Sequence, residues 1–156
     1  MQNILIERAS AENAGEILNL QKLAYISEAE LINDFTIPPL HQTIDEIHAE
    51  LNNQVFLKVE LANKIIGSVR CYSKGPTCYI GKLIVHPENQ NSGIGTKLLK
   101  EAENQFPDAE RYELFTGQQS EKNLYLYKKN GYRIFKDEML SEKLTLVFME
   151  KANSRV

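Results

Sequence analysis

The sequence predicts an α/β (α+β) fold, a mixed sheet carrying helices on its faces, and three observations support this. Helical periodicity appears in separate segments, strand-like runs lie between them, and turn residues mark nearly every junction. The predicted order is strand, two helices, three strands, helix, strand, helix, two strands. A meander of three successive strands argues against a doubly wound dinucleotide fold.

The elements follow in order. Alternation in NILIER predicts a strand over 3–8. Ser10 can cap a helix over about 11–27, whose apolar set Ala14, Ile17, Leu18, Leu20, Leu23 and Ala24 has helical spacing. LINDFTIPPL (31–40) reads as irregular, broken at Pro38-Pro39. Thr43 caps a short helix, IDEIHAELN. VFLKVEL (55–61) turns at Ala62-Asn63 into KIIGSVRCYS (64–73), and Lys74-Gly75-Pro76 turns that strand into TCYIGKLIV (77–85). A helix over about 93–105 stops at Pro107. RYELFTG (111–117) is a strand, SEKNLYLYKKN (120–130) a helix closed by Gly131 as a left-handed cap. YRIFKDEML and KLTLVFME form a final strand pair.

The 156 residues are most simply one domain, 1–156, large enough for a substantial core. With 42% hydrophobic and 25% charged residues the composition is that of a soluble globular protein. A net charge of -3 gives no support to wholesale nucleic-acid binding. The opening MQNILIERAS lacks a basic segment followed by a long apolar one, so no secretory leader is expected, and no apolar run is long enough for a membrane span. Cys71 and Cys78 are too few for a disulfide scaffold and have no partners at metal-ligand spacing. A reducing cytoplasmic setting is expected, with no metal.

The strand TCYIGKLIV leads through His86-Pro87 into QNSGIG: Gln90, Asn91, Ser92, Gly93, Ile94 and Gly95, followed by Thr96. A loop passing from a buried strand into a helix presents unpaired N–H groups and the positive end of the helix dipole, a ready anion site. Glycines at 93 and 95 let an anion approach the backbone. The Rossmann fingerprint needs a third glycine, and Gly95-Thr96-Lys97 inverts the ending of a Walker loop. On its own, QNSGIG fits either an anion cradle or a helix start with glycines for close packing.

About thirty residues on comes LYKKNGY (Leu126–Tyr132). The V-x-P strand end, the Q-x-x-G-x-G loop and LYKKNGY together resemble the GNAT family of acyl-CoA-dependent N-acetyltransferases. The element order matches that fold along nearly the whole chain. The resemblance implies a mixed, mostly antiparallel sheet of six or seven strands, flanked by about four helices, bulged in the fourth strand and splayed between the fourth and fifth. It implies acetyl-CoA as acyl-donor cosubstrate and a primary amine as acceptor, joined by direct attack in a ternary complex. No nucleic acid and no membrane are expected as partners. A homodimer, common in the fold, would use the final strands over 132–150.

Carried over residue by residue, the pantetheine arm would pair with backbone at Leu83, Ile84 and Val85, and the pyrophosphate would sit over Gln90, Asn91, Ser92, Gly93, Ile94, Gly95 and Thr96. A backbone N–H near Val85 would steady the carbonyl oxygen during attack. Tyr127 matches the tyrosine that protonates the departing thiolate. Many members carry Asn seven residues before that tyrosine; here Ser120 stands there, and cofactor contact and helix N-cap both fit it. Asn123, one turn before Tyr127, can reach the cofactor or stand in solvent. Carboxylates that other members use as general base fall on Tyr79 and Phe115, so the base is open. Glu113, on the same strand face as Phe115, is the first candidate, and a water chain from strand carbonyls the equal alternative. Residues 26–42 correspond to the variable acceptor region, where Glu28, Glu30 and Asp34 suit a cationic amine and Tyr25, Phe35 and Tyr79 suit a lining. His86, His41 and His48 read as loop or surface residues. A non-catalytic acyl-CoA sensor remains the alternative function.

Overall fold

The computed structural model of the protein describes residues 4–155. Seven strands form one sheet: β1 (Ile6–Arg8), β2 (Val55–Leu61), β3 (Lys64–Lys74), β4 (Thr77–Val85), β5 (Arg111–Gly117), β6 (Arg133–Met139) and β7 (Thr145–Ala152). Their spatial order is β1-β2-β3-β4-β5-β7-β6. Every neighbouring pair is antiparallel except β4 and β5, which run parallel. The helices are α1 (Ala14–Ile32), α2 (Pro38–His41), α3 (Ile44–Asn53), α4 (Ile94–Asn104) and α5 (Glu121–Lys129). The expected first strand is shorter than read, and its Asn3 lies outside the described residues.

Two local differences have simple causes. α1 continues five residues beyond the expected end because ISEAELI contains no breaker, and it stops where Asn33 takes a left-handed conformation, φ 52°. Pro38-Pro39 starts α2, since proline is tolerated in a first helical turn. Thr43 caps α3 as expected, in a capping box: its Oγ1 accepts from Glu46 N at 3.2 Å while Glu46 Oε1 accepts from Thr43 N at 2.9 Å. The hairpin between β3 and β4 turns on Gly75-Pro76, pairing Lys74 with Thr77. Cys71 and Cys78 are therefore diagonal neighbours, both reduced and buried.

Two apolar layers enclose the sheet. On one face α4 and α5 bury Leu98, Leu99, Ala102 and Tyr127 against Val69, Cys71, Ile80, Tyr112 and Leu114. On the other, α1 and α3 bury Ile17, Leu18, Leu20 and Ile47 against Phe56, Ile65 and Ile84. Within the second layer lies Arg70, 2% exposed. Its Nη1 donates to Gln42 Oε1 and Glu50 Oε2, both at 3.2 Å, its Nη2 donates to Gln21, and its guanidinium lies 4.5 Å from the Phe56 ring centre. A buried guanidinium is tolerated only when paired and hydrogen-bonded. Here it ties α1, the α2–α3 connection and α3 to β3.

Gly67 on β3 lets α4 approach: a Cβ there would stand 3.0 Å from Leu98 Cδ1 and 3.2 Å from Ile94 Cγ2. Gly67→Val should therefore overpack this contact and cost about 1–3 kcal/mol, measured as a lowered urea midpoint with unchanged slope.

Candidate active site

The site begins with a defect in β4. Ser68 pairs with Ile84 and Arg70 with Gly81, so Lys82 and Leu83 together oppose Val69. This is a β-bulge, with Lys82 in the left-handed region at φ 44°. The extra residue switches the faces: Cys78 and Ile80 point toward α4 before it, Leu83 and Val85 after it. On its other edge β4 pairs with β5 only through Thr77–Arg111, Cys78–Tyr112 and Tyr79–Glu113. Beyond Tyr79 the two strands part.

The free edge carries specific backbone groups. His86 N donates to Ile66 O at 2.7 Å, toward β3. Backbone groups alternate between the two edges of a strand, so Ile84 also addresses β3, while Leu83 and Val85 address the opening. The expected contact at Ile84 is corrected accordingly: its backbone pairs with β3 and its side chain lies in the α1 layer. Val85 O already accepts from Gln90 Nε2 at 3.3 Å, leaving the Val85 N–H as a donor into the gap.

QNSGIG forms the root of α4. Asn91 and Gly93 have φ of 64° and 85°, and a Cβ on Gly93 would meet nothing within 4 Å. The first intrahelical bond runs from Lys97 N to Gly93 O at 3.1 Å, so the N–H groups of Ile94, Gly95 and Thr96 have no intrahelical partner. The side chains do less than expected. Gln90 bridges Val85 O and Lys122 Nζ, the latter at 3.3 Å, and Ser92 Oγ donates to Asn89 O. Ile94 is buried against Gly67, while Thr96 is half-buried on the first turn. Gly95 serves packing: a Cβ there would come 3.2 Å from Leu126 Cδ2 on α5. QNSGIG and LYKKNGY thus touch directly.

On α5, Tyr127 is 5% exposed and its ring centre lies 6.2 Å from that of Tyr132. Gly131, φ 96°, closes the helix as expected. Ser120 occupies the N-cap position but makes no capping hydrogen bond. Its hydroxyl instead donates to Glu28 Oε1 of α1 at 2.8 Å. Asn123 Nδ2 donates to Glu28 Oε1 at 3.4 Å and to Thr116 Oγ1 of β5 at 3.2 Å, so it is no solvated position. α1 and α5 belong to opposite faces of the sheet, and these bonds join them across the opening. Arg70, Lys82 and Thr116 were not singled out by sequence: a buried ion pair and a strand-to-helix contact leave no local pattern, and the bulge expected in the fourth strand was assigned to no residue.

Glu113 sits differently. Its Oε1 accepts from Arg111 Nη1 at 3.0 Å, its Cα partners are Tyr79 and Glu150, and it stands where β4 and β5 are still paired. The geometry gives it an ion-pair role at the closed end of the opening. Tyr79 stacks on Tyr72 with ring centres 5.2 Å apart, and Phe115 is 53% exposed. His86 Nδ1 accepts from Glu88 N, and His41 and His48 are exposed.

A sequence profile described as Acetyltransferase (GNAT) family matches residues 16–132. The UPF0157 protein YqkA of Bacillus subtilis is 30% identical over 128 residues, which are 82% of this chain and 37% of that protein. The chain therefore spans little more than a third of that relative's length. Among solved structures, a PaiA N-acetyltransferase of Thermoplasma acidophilum in complex with coenzyme A superposes with a TM-score of 0.80 at 18% identity, covering 97% of this chain and 99% of that one. The ribosomal-protein-S18-alanine N-acetyltransferase of Escherichia coli gives 0.79 at 11% identity, covering 97% and 95%. A spermidine N-acetyltransferase SpeG chimera from Vibrio cholerae and hSSAT gives 0.76 at 20%, covering 99% and 98%. At these identities the likeness is one of fold. Among the described residues no helix is long and apolar enough to cross a membrane.

Burial, then Glu28, pushes the Tyr25 phenol up to about 12. Burial, then Tyr25 and Glu28, raises Tyr127, and burial followed by Glu103 raises Tyr132. A raised native pKa contributes stability below the unfolded value that is lost as pH climbs past it. Unfolding free energy should therefore show no tyrosine-linked decline up to about pH 9 and fall above about pH 10, where unfolded tyrosines ionise. Urea titrations across that range check it; a decline that Tyr127→Phe leaves unchanged removes this residue's share.

Proposed function

Because the chain belongs to the GNAT acetyltransferase family, we propose that it transfers an acetyl group from acetyl-CoA to a primary amine by direct attack in a ternary complex. One observation carries this reading: β4 and β5 part beyond Tyr79, the N–H groups at the root of α4 have no intrahelical partner, and α5, which packs on that root through Leu126, carries the buried Tyr127. A thioester supplies an acyl carbon bonded to a leaving thiolate.

The chain's own groups fit such a substrate. The N–H groups of Ile94, Gly95 and Thr96, with the helix dipole behind them, suit a pyrophosphate, and the open space at Gly93 leaves room for it. Leu83 and Val85 offer strand backbone to an extended amide-containing arm, as an added strand would use it. The Val85 N–H serves as a fixed donor to negative charge developing on a carbonyl oxygen. Tyr127, held protonated by burial, donates to the departing sulfur. Ser120 contributes through Glu28. Asn123 keeps its amide oxygen as an acceptor, with no protein donor to it among the described residues.

A second reading, a non-catalytic acyl-CoA-binding module, draws on Tyr79 and Phe115 standing where other members carry a carboxylate and on Glu113 being held by Arg111. It predicts cofactor binding with no acceptor-dependent thiol release across a broad panel of amines.

Tyr127→Phe should lower turnover by about 10²-fold while leaving acetyl-CoA affinity within about twofold, because the phenol acts only as the sulfur leaves. Steady-state thiol release with calorimetry of the cofactor checks both halves, and unchanged turnover removes Tyr127 from the mechanism. Gly93→Glu places charge and bulk on the cradle at a left-handed position. It should cost about 1–2 kcal/mol in stability and abolish calorimetric binding of acetyl-CoA in protein that still unfolds cooperatively.

A further inference from the structure

The transferase reading leaves the amine's proton without a destination, and Glu28 stands where one is needed. It projects from α1 one turn after Tyr25, so the two side chains share a helix face. Ser120 Oγ and Asn123 Nδ2 fix its Oε1, at 2.8 and 3.4 Å, and among the described residues no donor reaches Oε2. The carboxylate is half-buried and bridges the two faces of the sheet where β4 and β5 have parted. Its charge reaches both Tyr25 and Tyr127.

We propose that Glu28 is the catalytic base: its Oε2 receives the ammonium of the acceptor and takes its proton, so that the enzyme selects primary amines that arrive charged. This rests on the transferase reading above. A proton donor to sulfur and a proton acceptor from nitrogen must flank one thioester. Glu28 is within electrostatic reach of Tyr127, whereas Glu113 is paired with Arg111 at the closed end of the opening. Two hydrogen bonds from a second helix hold the carboxylate in place before the amine arrives, which is the preorganisation such a group requires.

The step balances. The ammonium gives one proton to Glu28 and, through it, to solvent. The nitrogen–carbon bond forms as the carbon–sulfur bond breaks. Sulfur takes the Tyr127 proton, and the second proton lost by nitrogen restores the phenol. The products are one amide, one thiol and one released proton.

The charged and titratable neighbours are few. Tyr25 faces Glu28 from α1 and Tyr127 from α5, with Arg70 of β3 near Tyr25 but paired to Glu50. Lys122 of α5 is turned to Gln90, and Lys143, between β6 and β7, donates to Asn33 O at 2.8 Å.

The test measures thiol release from acetyl-CoA with 1,4-diaminobutane, spermidine, phenethylamine, lysine amide and an alanyl peptide, for wild type, Glu28→Gln, Ser120→Ala and, as a control away from the opening, Asp108→Asn at an exposed position in the loop before β5. With the best acceptor near neutral pH, Glu28→Gln should lower kcat/KM for the amine by about 10²-fold with acetyl-CoA affinity intact, and Ser120→Ala by a smaller factor. The deficit of Glu28→Gln should shrink toward about pH 10, where the amine already carries a free pair. A structural role would not be rescued by pH. Glu28→Gln with wild-type rates, or with a deficit constant in pH, overturns the proposal alone. No acceptor-dependent release from wild type with any of these amines removes the transferase reading and the proposal with it.

Discussion

The constraint on which everything else depends is that β4 can pair with β5 for only three residues. A bulge at Lys82 and Leu83 redirects β4 just past that point, and the parallel ladder is not resumed. An open sheet edge in a protein interior is a liability, because unpaired N–H and C=O groups there must find partners. In this chain the opening is bridged by side chains from both layers. Glu28 of α1 meets Ser120 and Asn123 of α5, and Asn123 reaches on to Thr116 of β5. A continuous sheet would keep those helices apart.

The two glycine-containing stretches depend on each other in the same way. Gly93 meets a backbone need, its positive φ at the entrance to α4, whereas Gly95 meets a packing need, the approach of Leu126. That approach sets the distance between the helix that offers N–H groups and the helix that carries Tyr127. The two stretches are therefore packed against each other, with Ile94 and Tyr127 in the same apolar layer. The opposite layer is secured by polar means. Arg70 binds Gln21, Gln42 and Glu50, and so places α1, with Tyr25 and Glu28 farther along it, over the opening.

Electrostatics in the opening follow from burial. Tyr25 and Tyr127 are pushed toward their neutral forms first by desolvation, and the nearby carboxylate adds to that. A phenol kept protonated carries a proton that a departing thiolate can take. An adjacent carboxylate with a free oxygen is suited to receive a cation. The proposed reaction needs both polarities within one small volume, and α1 and α5 supply one from each side.

What the sequence by itself determined is the succession of most strands and helices and the two stretches from which the cofactor half of the proposed site is read. Periodicity, caps and turn residues are local, so β2, β4, β5, α4 and the Gly131 cap could be read within a residue or so. The QNSGIG and LYKKNGY stretches are each contiguous, so each is legible in one dimension. The contacts from which the amine half is proposed exist only in the tertiary structure. Whether Ser120 caps a helix or holds Glu28 depends on a partner 92 positions away. In one dimension Glu113 is the first candidate base and Glu28 only a charge suited to a cationic amine; the end at which the strands part reverses that order in the proposal. A bulge is expected in the fourth strand and Gly81 stands beside it, but its exact register at Lys82 and Leu83 is not readable in one dimension. It arises from how β3, β4 and the two helical layers fit together, and no local pattern encodes such a fit.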